Sequence, residues 1–111
     1  MSAPWRIFRL EELRERNRRS ASPYLEFLRV PTLSCGIYRL RAGAKDLQAP
    51  HDEDEVYCVL SGRARIRIDG AERPVEPGAI LYIAATSEHS FVEVDEDMEL
   101  LVFFASGGPE R

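Results

Sequence analysis

Cysteine is scarce in this sequence: Cys35 and Cys58 are the only two, and no CxxC spacing occurs. A disulfide scaffold is therefore excluded, and two reduced, buried thiols are expected. Long apolar runs are missing too. The longest, Ala79 to Ala85 and Leu100 to Ala105, fall far short of the ~20 residues a bilayer-spanning helix needs. Arginines interrupt the few apolar residues of Met1 to Leu10, so no signal peptide is read there. Nor is there a P-loop, a dinucleotide fingerprint or a nucleophile–base pair. These absences predict a soluble, cytoplasmic chain with no membrane partner.

No single sign of charge dominates: 15 basic side chains stand against 19 acidic ones, a net −4. The distribution is uneven, however. Residues 1–30 carry seven arginines and four glutamates, whereas the remainder carries eight basic and fifteen acidic groups. The basic stretch lies on one short arm and lacks the folded, aromatic-laced basic face of a nucleic-acid site, so no nucleic-acid partner is expected. Glu12–Arg16 and Glu15–Arg19, each spaced i,i+4, read as a solvated helix face. The arm is expected to pack on an acidic body, its own or a second copy's.

At 111 residues one domain fits, and there are no internal repeats. One helix is predicted, Leu10 to Arg18, with Ile7, Leu10 and Leu13 as a thin apolar stripe. Pro23 ends the arm, because it biases Ser22 away from helix. Short strands follow. They are predicted at Tyr24–Val30, Ser34–Arg41, Val56–Leu60, Arg63–Ile68, Ala71–Val75, Ile80–Ala84, Ser90–Val94 and Glu99–Ala105. Within Arg63–Ile68 the alternation is strict, with Ala64, Ile66 and Ile68 on one face and three arginines on the other. Asp69-Gly70 is a turn dipeptide of type I′ hairpins, and Pro77-Gly78 marks a second turn. Seven or eight evenly punctuated strands without an internal helix predict an all-β antiparallel sandwich or barrel. The predicted layout is an arm over 1–23, a β-barrel domain over 24–106 and a tail over 107–111.

Only two histidines exist, His51 and His89, and both stand at strand edges beside carboxylates. His51 opens the run His51-Asp52-Glu53-Asp54-Glu55, directly before an apolar strand. Residues distant in sequence can meet inside an antiparallel barrel. Two imidazoles and one carboxylate could then bind one divalent ion and leave positions open for water or substrate. Asp52, Glu53 and Asp54 read as a solvated loop. Parity extends the pattern. If Glu55 points inward, Tyr57 and Val59 do so too, Phe91 shares the face of His89, and Cys58 faces away. Tyr57, Val59 and Phe91 thus either line a pocket or fill the interior, and Tyr57 is the candidate catalytic hydroxyl.

Three stretches resemble the cupin superfamily: Gly43…His51-x3-Glu55-x6-Gly62, then Asp69-Gly70, then Gly78-x10-His89. The stretch Asp46 to Tyr57 is similar to small single-domain cupins. The resemblance covers about residues 34–105 and implies a double-stranded β-helix, or jelly roll, with metal ligands at His51, Glu55 and His89. The sequence departs from the family at the first motif's earlier His, which is Ala49, leaving Gln48 or water as the fourth ligand. Ala84 and Thr86 stand where the second motif has Pro and Gly, and Glu93 where it has Asn.

Two functions follow from this resemblance. One is a metal-dependent enzyme, a dioxygenase or an isomerase or lyase, using Fe, Mn, Ni or Zn on a small polar substrate. The other is a non-catalytic module that binds a small ligand, with or without metal. A homodimer is expected under either, because the strand Tyr24–Val30 is apolar on both faces and an open sheet edge needs cover.

Overall fold

The computed structural model describes residues 4–46 and 52–105. One helix, α1 (Leu10–Arg19), precedes eight strands: β1 (Tyr24–Val30), β2 (Leu33–Leu40), β3 (Asp54–Ser61), β4 (Ala64–Ile68), β5 (Ala71–Val75), β6 (Ile80–Ile83), β7 (His89–Val92) and β8 (Met98–Ala105). The strands form a five-stranded sheet in the order β1-β2-β8-β3-β6 and a three-stranded sheet in the order β5-β4-β7. Every pairing is antiparallel. The fold is the expected all-β jelly roll with one short helix.

Alternation decides what lies between the sheets. Tyr57 and Val59 of β3, Leu100 and Val102 of β8, Ala64 and Ile66 of β4 and Phe91 of β7 all belong to one buried cluster. The β4–β5 hairpin turns at Asp69 and Gly70, both at positive φ, as a type I′ turn requires. Gly62, which follows β3, has φ of +91°, and any Cβ there would run into the backbone of Asp97 and Met98. That close approach explains why the step from Glu55 to Gly62 ends in glycine.

The helix packs differently from its predicted stripe. Leu13 and Asn17 are buried, whereas Leu10 is exposed and Ile7, at 82% exposure, lies in open solvent. Asn17 takes the second inward place because its Nδ2 donates to the carbonyls of Pro23 (2.9 Å) and Ile37 (3.2 Å). The i,i+4 pairs Glu12–Arg16 and Glu15–Arg19 do not form. Instead Arg14 and Arg18 converge on Glu99, with N···O distances of 2.6 and 2.9 Å. The basic arm therefore packs on an acid of its own body. Burial, the largest single influence on Glu99, pushes its pKa up, but hydrogen bonds from Arg18 and Arg14 outweigh it and hold the carboxylate below its ordinary 4.5.

Two edges shifted for local reasons. β3 begins at Asp54, so this residue is a half-buried strand residue rather than part of a solvated loop. β7 stops at Val92 because Glu93 takes a left-handed φ of +49°. Cys35 is buried, whereas Cys58 is only half-buried, so the pair of core thiols is reduced to one; both are free. Among the described residues no helix is long and apolar enough to cross a membrane.

Candidate metal centre

Glu55 and His89 meet where the two sheets face each other. Glu55 is near the start of β3, paired with Phe104 of β8 and Ile83 of β6, and is 2% exposed. His89 opens β7, paired with Ile68 of β4, and is 7% exposed. Their side chains approach to 2.9 Å, from His89 Nε2 to Glu55 Oε1. Glu55 Oε2 is buried and has no hydrogen-bond partner among the described residues. A buried carboxylate oxygen without a partner is costly, and a bound cation would satisfy it. Two donor atoms at right angles on one ion, with bonds of ~2.1 Å, stand about 3 Å apart, which the Glu55–His89 separation matches. The pair fits a divalent ion.

The ring of His89 is held from behind. Its Nδ1 lies 3.0 Å from the carbonyl of Ser87 and its Nε2 faces Glu55; both partners only accept, so a ring protonated on both nitrogens satisfies both. The hydrogen bond to Glu55 raises the His89 pKa above its ordinary 6.5; burial opposes this, while the Ser87 carbonyl and the charges of Glu55 and Asp46 add to it. A metal would replace the proton on Nε2.

The parity expected for the site residues is what the strands adopt. Tyr57 is fully buried, its hydroxyl is 3.4 Å from His89 Nε2, and its ring meets Phe91 edge-on at 5.1 Å. Val59 and Phe91 are tightly buried core members, so they fill the interior between the sheets. Cys58 points away from Glu55. His51, Gln48 and Ala49 lie outside the described residues, and among the described residues no cluster of three His, Cys, Asp or Glu side chains forms.

Three residues near the site carried no role in the sequence reading. Asp46, buried after β2, accepts from the Tyr38 hydroxyl (3.0 Å) and the Phe91 amide (2.9 Å), tying that loop to β7. Asp54 accepts from the Ala85 amide at 2.9 Å. Tyr24 lays its ring across Gly36, and its hydroxyl is buried without a hydrogen-bond partner among the described residues. Burial chiefly, then the charge of Glu26, pushes this phenol up to about 12, with Glu55 adding to the effect. Of the three, Asp46 and Asp54 stood inside the stretch that resembles small cupins, and Tyr24 did not.

Residues 36–104 match the Cupin domain family. An uncharacterized protein of Streptomyces coelicolor is 41% identical over 100 residues, covering 90% of this chain and 95% of the relative. The solved Cnp3 cupin domain of Schizosaccharomyces pombe superimposes with a TM-score of 0.70 at 14% identity, over 76% of this chain and 64% of that one, so the chain spans less than two thirds of its length. A Ralstonia eutropha protein provisionally named a mannose-6-phosphate isomerase gives a TM-score of 0.68 at 23% identity, over 78% and 89% of the two chains. At such identities the solved structures speak to fold, while the family match speaks to descent. The chain belongs to the cupin family.

Proposed function

We propose that the chain binds one divalent metal ion through Glu55, His89 and His51, with Gln48 or water as a fourth ligand, and presents it to a small polar molecule. The observation that carries this reading is the buried Glu55–His89 contact of 2.9 Å, with Oε2 of the carboxylate left without a partner among the described residues. Fe, Mn, Ni or Zn suits such a donor set, and the ion would supply Lewis-acid or dioxygen chemistry when bound. The chain's own residues do the rest. Glu55 would contribute the negative charge, Ser87 holds the His89 ring, and Tyr57 holds a hydroxyl beside Nε2, placed to exchange a proton with a substrate in the site. Val59 and Phe91 seal the interior behind the site, and the free cysteines fit a reducing, cytoplasmic setting.

An enzyme of the dioxygenase or isomerase/lyase type is the reading we favour, because a hydroxyl stands beside the ligating nitrogen. A binding module without turnover is the second reading, favoured by Ala49 in place of a family histidine. Anaerobic loading with Fe(II), then oxygen uptake with catechols, thiols and keto acids beside calorimetry of the same compounds, separates them. Uptake identifies an enzyme, binding without uptake identifies the module, and no iron bound overturns the metal reading.

We also infer a homodimer. Among the described residues β1 pairs only with β2, which leaves its outer edge open there, and Trp5, Ile7, Phe8, Val30 and Leu33 are exposed. Phe8 stacks edge-on against Phe27 of β1 at 5.0 Å, which places the apolar arm beside that edge. Light scattering should give twice the chain mass at micromolar concentration, and a monomer after deletion of residues 1–20. A monomeric full chain would refute this.

A further inference from the structure

On the outer face of the five-stranded sheet, apart from the metal centre, arginines gather around a cavity. Arg39 of β2, Glu99 of β8 and Ser61 of β3 are cross-strand neighbours and so share one face. Leu100, next to Glu99, belongs to the interior cluster, so alternation turns Glu99 outward. Arg18 near the end of α1, Arg41 and Asp97 complete the lining of a cavity of about 590 Å³. Small-molecule sites commonly enclose ~300–1,000 Å³, so the space suits such a ligand. Glu55 pairs with Phe104, five residues along β8 from Glu99 or ~17 Å, and faces the other side of the sheet.

Two of the guanidinium groups are anchored yet keep open donors. A guanidinium carries five N–H donors. Arg18 gives two to Glu99, from Nε to Oε2 at 3.0 Å and from Nη2 to Oε1 at 2.9 Å. Arg39 gives two to carbonyls at the end of α1, those of Arg18 (3.3 Å) and Ser20 (3.1 Å). Arg41 is exposed, and its side chain makes no hydrogen bond or ion pair among the described residues. Both acids of the lining are already engaged: Glu99 with Arg14 and Arg18, Asp97 with the Ala42 amide at 2.8 Å. Arg14, Arg18, Arg39 and Arg41 set against Glu99 and Asp97 leave a local excess of two positive charges, in a chain of net charge −4. We propose that this cavity binds a small oxyanion of two or more negative charges, a phosphate ester or a polycarboxylate, through the open donors of Arg18, Arg39 and Arg41. Planar forks match phosphoryl and carboxylate oxygens, and the existing anchors on Glu99 and the helix end lower the ordering cost of binding. The two excess charges favour a dianion over a monoanion. No part of this inference rests on the metal reading.

Calorimetry on chelator-treated protein at ~20 mM salt, where charges are least screened, tests it with pyrophosphate and with citrate. At least one should bind with Kd below ~1 mM, and the tighter of the two identifies the ligand's oxygens as phosphoryl or carboxylate. Arg41→Gln removes an exposed, unbonded side chain, so it should weaken binding ~10-fold with Tm unchanged. Arg73→Gln, on the β4–β5 hairpin, and His89→Ala should both stay within a factor of ~2 of the wild type. Neither heat nor a rise in Tm with either anion at ~10 mM overturns the proposal. So does a wild-type Kd in Arg41→Gln, which would put the anion elsewhere. An equal loss in Arg73→Gln, which would show general charge attraction, or in His89→Ala, which would assign the anion to the metal centre, overturns it as well.

Discussion

Gly36 offers a test in which the sign of an effect should reverse. It lies in mid-strand on β2, and its φ is outside the left-handed region, so its backbone would accept any residue. Replacing a strand glycine by alanine should then stabilise by ~0.5–1 kcal/mol through the unfolded chain's lost freedom. The structure predicts otherwise, because a Cβ at Gly36 would clash with Cε1, Cζ and the hydroxyl of Tyr24. Overpacking of this kind costs ~1–3 kcal/mol, so Gly36→Ala should be net destabilising by ~1–2 kcal/mol. For a chain of 111 residues that is a fall in Tm of roughly 3–10 °C. Tyr24→Phe keeps the ring and should keep the penalty. In a Tyr24→Ala background the obstacle is gone, and Gly36→Ala should stabilise by ~0.5 kcal/mol or more. Thermal and urea unfolding of the four proteins closes the double-mutant cycle, with a predicted coupling of ~2 kcal/mol. The same sign in both backgrounds would refute the packing of Tyr24 over Gly36.

Three further predictions concern charge and strain. Glu99→Gln should lose ~1–2 kcal/mol, since a carboxylate only 10% exposed gives up charge-assisted bonds to two arginines. As the folded Glu99 pKa lies below 4.5, its contribution should be complete above about that pH and vanish as pH falls through the folded value; a flat acid limb in urea titrations would contradict this. For metal-free protein the His89–Glu55 pair has the opposite slope. With a folded pKa above 6.5, it stabilises fully below about pH 6.5 and is lost as pH rises through the raised value, whereas Zn(II) binding should strengthen over that same rise and release about one proton, measurable by calorimetry in two buffers. Thr86→Gly should raise stability by ~0.5–1 kcal/mol, because left-handed strain exceeds the entropy cost of glycine; a lowered Tm would show that Thr86 is not strained.

Period-two patterning made most of the sheet legible. The alternation of Arg63–Ile68 and the Asp69-Gly70 turn located the β4–β5 hairpin, and parity alone placed Tyr57 and Val59 with Glu55, and Phe91 with His89. What stayed hidden depends on partners far along the chain. Asp54 looks like one acid in a run, and only the approach of Ala85 gives it a role. Glu99 likewise closes an acidic stretch, yet it is buried under two arginines some 80 positions earlier. The helix stripe failed because Asn17, a polar residue, satisfies two carbonyls and so occupies a buried place that hydrophobicity would assign to leucine. Thr86, at the place where the resembled motif has glycine, has a φ of +68°, a left-handed conformation that strains a β-branched residue.

The claim on which the rest depends is that Glu55 and His89 share one ion. An anomalous difference map from a crystal grown with Mn(II) tests it most directly. A single peak at ~2.0–2.3 Å from both His89 Nε2 and a Glu55 oxygen is predicted. A map empty at that point, with the imidazole and carboxylate still in direct contact at millimolar manganese, would contradict it.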